Sequence, residues 1–372
     1  MKTKRVHFQI NKNAAYLPLQ AILLFFFTAI LLELGARTDF VQSKVPFQAL
    51  GTDNIEFEAK FDNINAVIER DGPIDCLFIG NSTVGRGMDP IIFNAAYQVA
   101  SGEEIRCFNF SVNGTNIPSS IMIIKILVKH YHPKLVILGT STGEYAAGFH
   151  DVPQERYVDN PWFKYQLGEF SPIGWLTDNS FAYRMLLLFS YSANHGLNLQ
   201  PTYDKVPPNN KNRDNYGFGY TAEVKTDINT PTKADRERFY HIFGGLIASR
   251  NIAASLEDLF QFQQQAGFQI VLVEMPYHKS LITLYDTPGK FEEKREDLAE
   301  FYYSIREQLL DAANRHNVLF LRTTHLFMIP DNGWKDREHL NGPGAAIFSQ
   351  WLGSQLGTAL SSGAISNSTN GK

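Results

Sequence analysis

Cysteine is scarce in this chain: two among 372 residues. That excludes a disulfide-dense scaffold and a multi-cysteine zinc site. An excess of basic charge is also missing. The net charge is -4, so composition gives no reason to expect a nucleic-acid partner. His130, His132, His150, His278 and His316 share no metal-ligand spacing, read as surface or loop residues, and point to no metal or other cofactor. No internal repeat is visible. Charge is absent altogether from one segment: between Lys12 and Glu33 lies a run of 20 uncharged residues, with "LPLQAILLFFFTAILL" at its centre.

As a helix that run spans roughly 30 Å, the thickness of a bilayer core. Lys2, Lys4, Arg5 and Lys12 precede it, while Glu33, Arg37 and Asp39 follow. The positive-inside bias predicts a cytoplasmic N-terminus and an extracytoplasmic remainder, periplasmic in a Gram-negative cell. Leu34-Gly35-Ala36 is a poor signal-peptidase site and the run is long for a signal peptide, which favours an uncleaved anchor in the cell membrane.

After a segment of mixed polarity, short apolar runs alternate with helical stretches. "PIDCLFIG" (73–80), "IRCFNFS" (105–111), "PKLVILG" (133–139), "FQIVLVEMP" (268–276) and "NVLFLR" (317–322) read as strands. Residues 119–131, 253–267, 298–316 and 342–357 read as helices. Continuous apolar strands that alternate with helices predict an α/β fold: a three-layer sandwich around a parallel sheet of about five strands. The expected division is a cytoplasmic segment 1–13, a transmembrane anchor 14–36, and a stalk 37–72 with a helix near Glu56–Arg70. An α/β domain 73–358 and a disordered polar tail 359–372 follow. Residues 140–225 interrupt the alternation with aromatics and turn residues. They read as a lid or substrate platform with one helix (181–193), or equally as an insertion packing the stalk or a partner.

Function in such sheets gathers at the C-terminal strand ends. The first end carries "FIGNSTVGRG" (78–87). As a phosphate-binding P-loop it fails, because Arg86 and Gly87 stand where lysine and Ser/Thr are needed. Asn81-Ser-Thr is a glycosylation sequon by spelling, as are those at Asn109, Asn113 and Asn367. Asn81, however, follows a buried strand directly, where a glycan has no room. The remaining chemistry is a reactive serine. Ser82 needs a base and a group that orients the base. "GWKDREHLNGPGAAIF" supplies Asp336 and His339 three residues apart, just before the closing helix. Taken singly, Ser82 reads as a helix cap, Asp336 as a turn residue and His339 as a loop histidine. In this chain order the three together favour catalysis.

"GNSTVGRGMDP", "FNFSVNGTN" and "DREHLNGPG" resemble, in order, the first, second and fifth blocks of the SGNH (GDSL-type) hydrolase superfamily. The resemblance covers about residues 73–358 and implies a flavodoxin-like sandwich with Ser82, His339 and Asp336 as catalytic triad. It also implies an oxyanion hole from the backbone N–H groups of Ser82 and Gly114. Where the family's third block has G-x-N-D, this chain reads Gly139-Thr-Ser-Thr142, so Ser141, Asn113 or Asn116 is left to replace the missing amide. Glu144 reads either as a lining residue or as a surface charge. Cys76 and Cys107 are expected on neighbouring strands, as buried free thiols rather than a bridge.

A triad of this kind forms an acyl-enzyme. Transfer to water makes an esterase or deacetylase, and transfer to a sugar hydroxyl makes an O-acyltransferase. Membrane-tethered proteins of this type resemble those that acylate exported or envelope polysaccharides beside a multi-spanning membrane acyltransferase. The resemblance therefore implies an acylated donor, a glycan or small-ester substrate, and such a partner. An aromatic-rich insertion would suit a glycan surface. A non-catalytic envelope scaffold is the remaining reading, since the third block is altered.

Overall fold

The computed structural model describes residues 17–45, 48–52, 54–145, 157–195, 213–230, 232, 250–282, 295–323 and 329–362. The expected segment 1–13, the expected tail from 363, and His150 lie outside them.

Five strands form one all-parallel sheet: β1 Cys76–Ile79, β2 Cys107–Asn109, β3 Leu135–Thr140, β4 Gln269–Glu274 and β5 Leu319–Leu321, in spatial order β2-β1-β3-β4-β5. Each coincides with one of the apolar runs read as strands, β3 reaching one residue further, to Thr140. Along each strand successive side chains serve opposite faces. Leu77, Ile79, Val136, Leu138, Ile270 and Leu272 face one core; Cys76, Phe78, Leu135, Ile137, Val271 and Val273 face the other. Both faces are covered, so both phases of each strand must be apolar.

The first core is closed by α2 (Ile55–Asp71), α5 (Ile117–Tyr131), α9 (Arg250–Ala266) and α10 (Arg295–Arg315). The second is closed by α3 (Ser82–Gly87), α4 (Pro90–Ser101) and α11 (Gly342–Ser361). Helix α4 begins where Asp89 accepts hydrogen bonds from the amides of Ile91 and Ile92, with Pro90 at its first position, and ends at Gly102. A Cβ on Gly353 or Gly357 would run into the α4 backbone, so these glycines let α11 lie directly on α4.

Helix α1 (Leu17–Ala36) is long and apolar enough to cross a membrane, and its large apolar side chains are exposed. The helix expected in a stalk is instead part of the domain. Phe57, Ile64 and Val67 of α2 are fully buried in the first core, because the helix is amphipathic and the sheet face needs covering. The insertion also contains more than one helix. Among its described residues are α6 (Pro161–Gln166), α7 (Pro172–Asn179) and α8 (Phe181–His195). Its Tyr157, Trp162 and Phe163 are buried around Phe57, so these rings pack α2. Residues 146–156 and 196–212 of the insertion lie outside the described set. Helix α11 runs to Ser361, past the expected domain end at 358.

Candidate active site

The strand order reverses direction at β1: one crossover leads outward to β2, the next passes back over β1 to β3. A crevice opens at such a switch point, beyond the strand C-termini, and Ser82 stands there as the first residue of α3. Gly80 ends β1 with φ 151°, and a Cβ there would meet Val84 Cγ2 at 2.5 Å and the Gly139 carbonyl at 2.7 Å. Only glycine allows this turn. Asn81 caps α3, its Oδ1 accepting from the Thr83 amide and hydroxyl, both at 2.8 Å. The far end of α3 is held by buried Asn109, whose amide donates to the carbonyls of Val84 (3.0 Å) and Met88 (2.8 Å).

Ser82 Oγ lies 2.7 Å from His339 Nε2, across 257 positions of sequence. His339 Nδ1 lies 2.9 Å from both carboxylate oxygens of Asp336. Asp336 Oδ1 also accepts the amides of Glu338 (2.9 Å) and His339 (2.8 Å), so the short loop folds around its own carboxylate. Burial works to raise the Asp336 pKa, but the bond and charge of His339 and the two amides outweigh it and bring it down to about 2. Asp336 is therefore ionised at neutral pH and selects the tautomer in which Nδ1 carries the proton and Nε2 is free to accept one from Ser82.

The loop is rigidly mounted. Trp334 and Leu340 form an antiparallel bridge. Arg337, 4% exposed, donates from Nε to the Ile228 carbonyl (3.0 Å) and Ser280 Oγ (3.2 Å), and from Nη2 to the carbonyls of Asp227 (3.1 Å) and Thr230 (2.8 Å). Behind it, His278 bonds Ser280 Oγ through Nδ1 (2.7 Å) and Asp331 through Nε2 (3.2 Å). This second Ser-His-Asp cluster is structural: His278 and Ser280 are buried, and Ser280 Oγ donates to the Ile228 carbonyl at 2.6 Å. Burial lowers the His278 pKa against the pull of Asp331. His278, read as a surface or loop residue, does lie in a loop, but it is buried. Segment 216–225 connects the two halves of the site, with Gly219 N–H on the Gly85 carbonyl and Gly342 N–H on the Thr221 carbonyl.

Gly114 is held near the Ser82 turn, since the amide of Val112 and the hydroxyl of Thr115 both donate to the Gly80 carbonyl (2.9 and 3.1 Å). Among the described residues, neither the Ser82 nor the Gly114 amide has a hydrogen-bond acceptor. An oxyanion hole needs unpaired donors of this kind. Ser141 is not free for that task. Its amide and hydroxyl both donate to Glu144 Oε2, at 2.6 and 3.2 Å. Asn116 Oδ1 caps α5 through the Ser119 amide. The Asn113 backbone N–H donates to Glu56 Oε2 at 2.9 Å.

Glu144 is buried (1% exposed) rather than a surface charge. Burial pushes its pKa up to about 8, against hydrogen bonds from the Ser141 amide and hydroxyl and from the Asn81 side chain. A neutral carboxyl thus joins the β3 end to the turn that presents Ser82. The S-x-x-E spacing of Ser141 and Glu144 is a capping-box signature that sequence reading could have used. Arg337 carried no comparable signal.

Cys76 and Cys107 are register partners on β1 and β2, both buried and free, and burial raises both thiol pKa values. A cavity lined by Tyr145, Leu256, Ile305 and Leu309 lies on the other face of the sheet from α3 and plays no part in this site. Among the described residues, no cluster of three or more His, Cys, Asp and Glu is placed to hold a metal ion. No family model matches the chain, and no curated protein matches it in sequence.

Proposed function

We propose that this chain is a membrane-anchored, serine-dependent acyl-transfer enzyme on an SGNH-type sandwich. Its preferred acceptor is a hydroxyl of an envelope or exported polysaccharide. The observation that carries the reading is the two-bond relay Ser82–His339–Asp336. The sheet order and the position of Ser82 at its switch point agree with it.

In the proposed reaction Ser82 Oγ attacks an ester carbonyl while its proton passes to His339 Nε2. The oxyanion accepts the amides of Ser82 and Gly114. The tetrahedral intermediate collapses as the ester C–O bond breaks, and His339 returns the proton to the departing alcohol. An acceptor hydroxyl then gives its proton to His339 and attacks the acyl-enzyme; the acyl–Oγ bond breaks, and His339 returns the proton to Ser82 Oγ. With water as acceptor the same steps give an esterase. Tyr220, 58% exposed and packed on Gly342 close to His339, supplies an aromatic ring at the rim for a sugar face. Helix α1 is read as the anchor, with the domain outside the cytoplasm and a multi-spanning acyltransferase as donor-side partner.

The test is labelling of the full-length protein with a fluorophosphonate, wild type against Ser82→Ala. Labelling is expected in wild type and lost in Ser82→Ala. If folded protein shows no Ser82-dependent labelling, a non-catalytic scaffold is the better description. Acyl transfer to a glycan in excess of hydrolysis separates transferase from esterase.

A further inference from the structure

Helix α1 is not a free tether. Its Glu33 accepts hydrogen bonds from Ser180 Oγ (2.7 Å) and from the amides of Phe181 and Ala182 (3.1 Å each). A carboxylate at the end of the apolar run thus caps the N-terminus of α8. Arg37, one turn on, bonds Glu33 at 2.7 Å, donates to the Asn179 carbonyl at 3.0 Å, and lies over the Phe181 ring. The point where α1 leaves its apolar stretch is therefore clasped to the joint between α7 and α8.

The α7–α8 hairpin, with Phe170 just before it, exposes apolar side chains along both helices. Phe170 is 95% exposed, Ile173 and Trp175 54%, Leu176 36%, Leu186 63% and Phe189 58%. The other side of α8 is anchored to the domain: Leu188 is buried against Ala49. Between residues 170 and 195 only Asp178 and Arg184 are fully charged. Both are used internally. Asp178 accepts from Trp162 Nε1 (3.0 Å) and Gln166 Nε2 (2.6 Å), and Arg184 donates to the carbonyls of Thr177 (2.6 Å) and Asp178 (2.7 Å). An exposed apolar patch with its charges turned inward is costly in water. It fits the boundary between headgroups and acyl chains, where Trp and Phe side chains settle beside short amphipathic helices.

We propose that the α7–α8 hairpin lies in the interface of the bilayer that α1 crosses and seats the domain on the membrane. This rests on the reading of α1 as a membrane span. The occupant is lipid because α1 packs on α8 and the Glu33 clasp fixes the hairpin to the end of the apolar helix.

The test uses full-length protein reconstituted in phosphatidylcholine vesicles whose acyl chains carry bromine at carbons 6 and 7. Wild type is expected to float with the vesicles and to lose about half of its Trp175 emission; Trp175→Phe removes that quenched component. Leu186→Cys and Phe189→Cys react with a membrane-impermeant maleimide at least about tenfold more slowly than Val99→Cys, at a position of α4 whose side chain is exposed. The native cysteines stay silent because both are buried. Floating protein in which quenching is independent of Trp175 overturns the proposal. Maleimide protection without bromine quenching also overturns it, because the patch is then covered by protein, either a second copy or another membrane protein. Failure to float overturns the span reading itself, a result distinct from either.

Discussion

Replacing Glu144 with glutamine removes one titration and little else. The glutamine carbonyl keeps the bonds from Ser141, and its amide occupies the side of Oε1, which has no partner among the described residues. In wild type the native pKa is raised from 4.5 to about 8 by burial. The native state therefore holds a proton that the unfolded chain releases above pH 4.5. The stability associated with this group is fully present below pH 4.5 and is lost as pH rises, until the native carboxyl itself ionises near pH 8. Each pH unit in that window costs about 1.4 kcal/mol. Between pH 5 and pH 8 the wild type should thus lose about 4 kcal/mol relative to Glu144→Gln. The comparison isolates this group, because every other titration is common to both proteins. Any unsatisfied donor introduced by the amide shifts the curves by a constant. The measurement is urea unfolding of the full-length protein in micelles, followed by tryptophan emission at pH 5, 6, 7 and 8. A gap that stays constant within about 1 kcal/mol would show that Glu144 does not reside in the native state as a buried neutral acid.

Asp336→Asn should keep the loop fold, since Oδ1 can still accept the Glu338 and His339 amides. It should cut the rate of Ser82 modification by about 10³–10⁴, because the asparagine amide faces His339 Nδ1 with a donor and favours the wrong tautomer; stopped-flow or gel-based labelling rates read this directly. Gly217→Ala should destabilise the fold by about 2–4 kcal/mol in the same urea assay, since φ is 80° and the new Cβ would run into the Asn109 carbonyl. A variant as stable as wild type would mean that segment 216–225 is not held against β2.

The strands were legible because burial on both faces confines polar residues to the strand ends, such as Asn109, Thr140 and Glu274. Ser82, Asp336 and His339 could be picked out because they carry chemistry in a recognisable order, and the structure brings the three within hydrogen-bonding distance. Other parts escaped for physical reasons. Helix α4 has its cap, proline and terminal glycine in plain sight, yet reading from one apolar run to the next passes over Pro90–Ser101. Helix α2 was assigned to a stalk because Glu56, Glu58 and Lys60 look solvated, whereas Lys60 is fully buried and donates to the Asn109 carbonyl (3.1 Å) and Ser111 Oγ (3.3 Å). Its buried ammonium is brought down to about 8 by desolvation, with Glu56 pulling the other way. The aromatics of the insertion read equally as a platform or as packing for the stalk, because composition does not show which way Trp162 and Phe163 face; both pack on Phe57 of α2, the helix read as stalk.

The Glu33 clasp bears on reach. A catalytic head on a loose leash sweeps a dome above the membrane and meets substrates at many heights. On the proposed reading of the domain as an enzyme and of α1 as its anchor, one bolted to its mast at Ser180 and Phe181 would present Ser82 at a single altitude and orientation. Such a head does not search; a polymer must be threaded past it or delivered to it. Selectivity can then come from where a hydroxyl stands above the bilayer as much as from its chemistry.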